Sequence, residues 1–199
     1  DLETTSLASN NLKKQEGSYS DFYFNYGLDY DTRDSSWNPS KGSVFSFYQQ
    51  LPLVSSESEI ANTLIISKYK KLNKQTNMIG KASLYLKAIN SLEGEDVRIS
   101  KRGYAPYYRL RGFKKGKIGP KDGNDFIGGN YVSTLNFSTT LPGLFSTMEN
   151  LDFSYFVDIA NVWGVDYDST IDDSNTIRSS TGIAIELISP IGPLSFSFT

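Results

Sequence analysis

Apolar and polar side chains alternate along much of the chain, and that alternation predicts its elements. From Asp21 to Asp31 one parity reads Phe22, Phe24, Tyr26, Leu28 and Tyr30, and the other Asp21, Tyr23, Asn25, Gly27 and Asp29. A strand points successive side chains to opposite faces, so this segment is an extended strand with one greasy and one wet side. Leu151 to Ala160 repeats the scheme, with Leu151, Phe153, Tyr155, Val157 and Ile159 opposing Asp152, Ser154, Phe156, Asp158 and Ala160. Phe156 alone breaks the wet parity. Between Ile177 and Ile188 the apolar Ile183, Ile185 and Leu187 oppose Arg178, Ser180, Gly182, Ala184 and Glu186, and Leu194 to Phe198 alternates again. Less regular strands are predicted at Ser43 to Leu51, Ile60 to Lys70, Met78 to Ile89 and Tyr131 to Leu141, for a total of about eight. In Ile60 to Lys70 the apolar Ile60, Leu64 and Ile66 share their parity with Asn62 and Lys68, so pattern alone does not assign its register.

Several of these runs have the ~9–11 residues that a tilted strand needs to cross a hydrocarbon layer. The connections alternate in character. Ser189-Pro190-Ile191-Gly192-Pro193 is a short turn whose prolines cannot donate to a ladder, whereas Tyr104 to Asn130 and Val165 to Thr176 are long and polar. Outer-membrane barrels show the same asymmetry, with short periplasmic turns and longer outer loops. Asp1 to Ser18 is polar and reads as loop or disorder, and no linker, heptad or fixed-period repeat divides the chain. The expectation is one all-β, antiparallel unit. In lipid, unpaired strand edges cost several kcal/mol per group, so such a sheet has to close.

Composition narrows the chemistry. The chain is 38% hydrophobic and 14% aromatic, with 13 Tyr and 12 Phe and a mean hydropathy of -0.37. A membrane barrel accounts for this combination, since its strands are apolar on one face only and aromatic residues collect at both interfaces. A secreted β-sandwich shares the statistics. No apolar stretch approaches the ~20 residues of a membrane helix, and Asp1 to Ser20 lacks the basic start and apolar run of a secretory signal. With no Cys and no His, the chain has no disulfides, thiol nucleophiles or imidazole bases and lacks the usual transition-metal ligands. A Ser-His-Asp triad is impossible, and no phosphate loop or dinucleotide fingerprint is present, so neither enzymatic activity nor a cofactor is expected. Nothing specific marks a glycosidase carboxylate pair. A net charge of -2 gives no field for nucleic acid. Asp166, Asp168, Asp172 and Asp173 are dense in carboxylates but lack the Gly and terminal Glu of an EF-hand, so no metal is expected.

The loop from Tyr104 to Asn130 carries Leu110-Arg111-Gly112-Phe113, then Ile118-Gly119-Pro120, then Gly128-Gly129-Asn130. Arg-Gly-Phe alone is common by chance, but this ordered set resembles the sixth loop of the BamA family of outer-membrane barrels. The resemblance extends through Asp31-Thr32-Arg33-Asp34 with Pro39 and Gly42, and through Ser189 to Leu194, and so spans most of the chain. It implies a transmembrane β-barrel segment, residues 1–199, within a barrel that in the family has sixteen strands. The match runs from about the eighth strand to the fifteenth, so the last strand and the periplasmic repeats are expected to lie outside this chain. The implied activity is non-hydrolytic insertion of other barrel proteins into the Gram-negative outer membrane, in which weakly paired first and last strands open and template incoming strands. The implied partners are unfolded outer-membrane proteins as clients, assembly-machinery lipoproteins, the lipid bilayer and lipopolysaccharide. Ile118-Gly119-Pro120 favours this family over a related assembly barrel or a two-partner secretion transporter. A small porin-like or adhesive barrel of about eight strands, and the soluble sandwich, compete with it as readings of the strand pattern.

In that family the long loop folds back into the barrel, and its arginine contacts polar groups of the inner wall. Arg111 is the matching residue, Gly112 permits close approach or a positive φ, and Phe113 is the expected apolar anchor. Asp158, on the wet parity, matches the family's inward acidic residue, so an Arg111–Asp158 contact is expected. Asn136, in Leu135-Asn136-Phe137, stands where relatives carry glutamate, and is expected to weaken the second half of the clamp. Taken alone, Arg111 reads as a solvated loop arginine and Asp158 as a lumen-facing carboxylate without a special partner. Lys114, Lys115, Lys117 and Lys121, with Lys101 and Arg102 ahead of them, read as a solvated face or as contacts to acidic lipopolysaccharide head groups.

Overall fold

The computed structural model describes residues 1–94, 96–142, 151–171, 176–189 and 192–199. Among these residues eight strands form one antiparallel sheet, each next to its neighbour in sequence: β1 (Phe22–Asp31), β2 (Gly42–Val54), β3 (Glu59–Asn73), β4 (Met78–Ser91), β7 (Tyr131–Thr140), β8 (Leu151–Trp163), β9 (Arg178–Ser189) and β10 (Gly192–Phe198). Two further short strands, β5 (Lys121–Asp122) and β6 (Asp125–Phe126), pair as a hairpin within the loop between β4 and β7. The result is an up-and-down meander.

Cross-strand pairing fixes which parity faces which way. The pairs Asp29↔Ser46, Ser46↔Ile65, Ser67↔Ser83, Asn136↔Asp158 and Asp158↔Ser180 place the wet side of every strand on the face that the long loop covers. On the opposite face Phe22, Phe24, Leu28, Tyr30, Phe45, Phe137, Tyr155, Ile183 and Phe196 are exposed. An apolar band of this extent suits hydrocarbon rather than water.

Pairing also resolves the β3 register. Ile60, Asn62, Leu64, Ile66 and Lys68 face outward, while Thr63, Ile65 and Ser67 face the loop. The two polar residues that blurred the pattern have physical outlets. Asn62 accepts a hydrogen bond from Gln49, and Gln49 accepts one from the Tyr26 hydroxyl at 2.6 Å, so these outward polar groups satisfy one another across β1, β2 and β3. Lys68 lies toward the turn end of its strand, from which a long stem can carry its ammonium to an interface.

Among the described residues β1 pairs only with β2, and β10 only with β9, so the sheet has two open edges. A small, self-closed barrel of about eight strands is therefore not what the chain forms; it is a wall. Pro190 and Ile191 of the predicted short turn lie outside the described residues, but the flanking Ser189 and Gly192 pair directly.

Asp1 to Ser18 is mostly loop, as expected, but a built one. It is tied by backbone bonds between Leu2 and Gly17 (2.8 and 3.1 Å) and contains a short helix, α1 (Asn10–Lys13), whose N-cap Ser9 accepts from Leu12 N at 3.2 Å. Leu12 is buried with Ile127 and Val165. Leu2, Leu7 and Leu12, five residues apart, fit neither helical nor strand spacing and give no periodic signal; tertiary contact is what orders the segment. It joins the β4–β7 and β8–β9 loops at one end of the sheet.

Candidate functional site

The long loop leaves β4 at Ser91, runs down the wet face and returns to β7 at Tyr131. Its neck is closed where Gly103 and Gly129 exchange backbone hydrogen bonds of 2.8 and 3.0 Å. Below the neck, Ala105, Leu110 and Ile118 pack with Val132, Ala160 and Val162 of β7 and β8 in a buried cluster. These wall residues lie on the wet parity but are apolar, because the loop rather than water covers them.

A 3-10 turn, Tyr107–Arg109, and the buried Leu110 deliver Arg111 to Asp158. The guanidinium donates from Nε to Asp158 Oδ2 at 2.7 Å and from Nη2 to Oδ1 at 2.8 Å, and the Arg111 backbone N–H adds a third bond to Oδ2 at 3.1 Å. Asn136 Nδ2 donates to Oδ1 at 2.9 Å. Asp158 is completely buried, so its charge is tolerable only because four donors surround it. The Arg111 guanidinium carbon also sits 3.4 Å from the centroid of the Phe156 ring. The residue that broke the wet parity is thus the platform on which the loop arginine lies. Space for that ring comes from Gly182 across the strand pair, where a Cβ would fall 3.0 Å from Phe156 Cζ and would collide with the Phe198 carbonyl oxygen.

The amide at 136 is not an idle stand-in for a carboxylate. Its Nδ2 donates both to Asp158 and to the Arg109 carbonyl (2.7 Å), while its Oδ1 accepts from the Thr134 hydroxyl (3.2 Å). A glutamate cannot make the two donations, so Asn136 holds the loop backbone and the buried acid together instead of weakening the clamp. Phe113, the expected apolar anchor, remains 37% exposed; the anchoring side chain is Leu110. Gly112 takes φ +85°, a conformation in which a side chain is strained. Arg109, which the sequence does not single out, lies over the rings of Tyr85 and Tyr108 and donates to Ser83 Oγ at 3.1 Å.

The remaining motif residues form the loop's upper end. Gly119 and Pro120 are buried beside Ile118, and Pro120 accepts from Ile127 N at 3.1 Å. Gly128 and Gly129 are buried at the neck. Asn130 donates from Nδ2 to both oxygens of Asp166 (2.9 and 2.7 Å), tying this loop to the one after β8. Asp166 also accepts from Val97 N, and Asp168 caps Thr170, while Asp172 and Asp173 lie outside the described residues. Among the described residues no cluster of three metal-type ligands is found.

Lys101 and Arg102 are not part of a solvated basic face. Arg102 is buried and donates to the Val97 carbonyl at 2.8 Å, and Lys101 pairs with Asp21 at 3.1 Å beside the Arg98–Asp21 ion pair. Burial pulls the Asp21 carboxyl up, but hydrogen bonds from Ser55, Lys101 and Arg98 outweigh it and hold the group at about 2. Lys101 is drawn in by an acid distant in sequence, and Arg102 by the Val97 carbonyl and the Tyr167 ring, 5.3 Å from its guanidinium carbon. Lys114, Lys115, Lys117 and Lys121 are exposed, with Lys117 and Lys121 near the Phe126 ring.

Below the Arg111 pair, between the loop tip and the wall, is a cavity of about 1170 Å³ lined in part by Trp37, Lys81, Tyr108, Arg109 and Phe113. The Omp85 superfamily domain matches residues 2–199. The crystal structure of BamA from Haemophilus ducreyi lacking POTRA domains 1-3 is similar, with a TM-score of 0.81 and 30% sequence identity. The match covers 90% of this chain and 38% of that chain, so the sequence spans well under half the length of that relative.

Proposed function

The chain belongs to the Omp85 superfamily, and on that premise we propose that it is the loop-bearing wall of a bacterial outer-membrane barrel that folds and inserts other β-barrel proteins. The observation that carries this reading is the Arg111–Asp158 pair buried on the wet face. It fixes a long loop inside the space that the wall curves around, while the opposite face is apolar.

The work of such a barrel is non-hydrolytic. An unfolded client strand gains backbone hydrogen bonds by pairing with an exposed strand edge, and each pairing replaces bonds that lipid cannot supply. The part played by this chain is mechanical. Four donors on one buried carboxylate, and an apolar cluster between loop and wall, stiffen this side so that opening is confined to the seam elsewhere in the barrel. In this reading the clients are unfolded outer-membrane proteins, the apolar face meets the bilayer, the exposed lysines meet lipopolysaccharide, and assembly lipoproteins dock on the whole protein.

The test is insertion of a urea-unfolded barrel client into liposomes carrying the full-length protein, scored by protease protection. Arg111→Ala and Asp158→Ala are expected to slow insertion while the wall stays folded. Unchanged insertion in both variants contradicts the proposal.

A further inference from the structure

The cavity beneath the loop tip holds a cation that the loop clamp does not use. Arg111 is committed to Asp158, but among the described residues Arg109 has only neutral partners: Ser83 Oγ at 3.1 Å, Asn136 Oδ1 at 3.4 Å and the faces of two tyrosine rings. Its Nε is buried and makes no hydrogen bond. Among the described residues no carboxylate lies within ion-pair distance of it. Lys81 lines the same cavity and pairs in register with Tyr69, whose ring its ammonium approaches at 5.4 Å. A guanidinium without an acid partner that lines a cavity together with a second cation is a receptor for an oxyanion.

We propose that Arg109, supported by Lys81, is a carboxylate-binding site for a polypeptide segment entering the cavity, the carboxylate being either a chain terminus or an Asp or Glu side chain. The surroundings select this ligand class. Tyr107, Tyr108 and Trp37 stand exposed around the cavity and offer aromatic faces to peptide side chains. Asp152 and Glu186, paired across β8 and β9, line the same space about 20 Å from Asp158 along β8 at the usual rise per residue. Their charges repel a polyanion such as a phosphorylated lipid, yet leave room for a singly charged group at Arg109. The site rests on the reading of this barrel as one that handles unfolded polypeptide, but it is a binding property and is measured without any insertion step.

The experiment uses the full-length protein in detergent and fluorescence anisotropy of dye-labelled six-residue peptides rich in tyrosine. One has a free terminal carboxylate, one is amidated, and one is amidated with an internal glutamate. The free acid is expected to bind roughly tenfold tighter than the amide, in line with a hydrogen-bonded charge pair. Equal tightening by the internal glutamate shows that a side-chain carboxylate serves as well as a terminus, and no tightening assigns the ligand to chain termini; either supports the site. Arg109→Gln is expected to erase the difference. Because that change could also loosen the loop, Ser83→Asp is the second variant: it keeps Arg109 but supplies a carboxylate from within, and is expected to erase the difference too. Equal binding of acid and amide by the unaltered protein, a difference that survives both variants, or displacement by equimolar inorganic phosphate overturns the proposal. Loss of client insertion with peptide discrimination intact would instead count against the assembly reading alone.

Discussion

Asp158→Asn is the sharpest perturbation of the loop clamp. The substitution preserves shape but removes the charge that four donors address: Arg111 Nε at 2.7 Å, Arg111 Nη2 at 2.8 Å, Arg111 N at 3.1 Å and Asn136 Nδ2 at 2.9 Å. An asparagine has one acceptor oxygen, so its amide nitrogen must face donors on one side, either Arg111 Nε and N or Arg111 Nη2 with Asn136 Nδ2. Removing one partner of a buried ion pair typically costs about 3–5 kcal/mol. Here the Arg111 side chain is 22% exposed and keeps its contact with Phe156, which lowers the expected loss to about 2–3 kcal/mol. Since the Arg111 backbone N–H is itself bonded to Asp158, amide hydrogen exchange in the 107–113 segment reads this loss directly. A loss of that size corresponds to roughly 30- to 150-fold faster exchange, with the neck at Gly103 and Gly129 unaffected. Exchange within about threefold of the unaltered protein would mean that the ion pair does not hold the loop, and would assign loop docking to the Leu110 cluster instead.

Asn136→Glu is expected to loosen the loop by about 1–3 kcal/mol, because it sets a carboxylate against the Arg109 carbonyl and Asp158; faster exchange over 107–113 checks it. Gly182→Ala drives a methyl into the Phe198 carbonyl and the Phe156 ring and should cost about 1–3 kcal/mol, read as a lower midpoint of heat-induced unfolding in detergent gels. Asp21, at about 2 in the folded protein against 3.8 as a free group, stabilises the folded state fully above pH 3.8 and loses that contribution as pH falls toward 2. Exchange of residues 96–103 should therefore rise steeply in that window, and Asp21→Asn should remove the pH dependence.

What the sequence reveals depends on how local the physics is. Strands such as Phe22–Asp31 are legible because a half-lipid, half-water wall forces period two over a full crossing. β3 is not, because Asn62 can face outward once Gln49 and Tyr26 satisfy it, and no single-strand pattern contains that partner. Arg111 and Asp158 are legible only through family resemblance, since each by itself is an ordinary polar residue. Phe156 carries its own signal, a ring on the wet side of a strand, which implies something to cover it. Arg109 and the buried Arg102 have no such signal. Their environments are assembled by Ser83, Asn136 and Tyr167 from other segments, so their roles emerge only when the chain folds.

All of these roles require that one face of every strand meet lipid and the other a watery interior holding the loop. Because this chain has no cysteine, single cysteines can be placed in turn from Phe22 to Asp31 in the full-length protein in liposomes and probed with a lipid-dissolved quencher and a water-borne thiol reagent. Period two is expected, with positions 22, 24, 26, 28 and 30 reached from lipid and 23, 25, 27 and 29 from water. Uniform access from water along the strand, or lipid contact at Asn25 and Asp29, would contradict the two-faced wall.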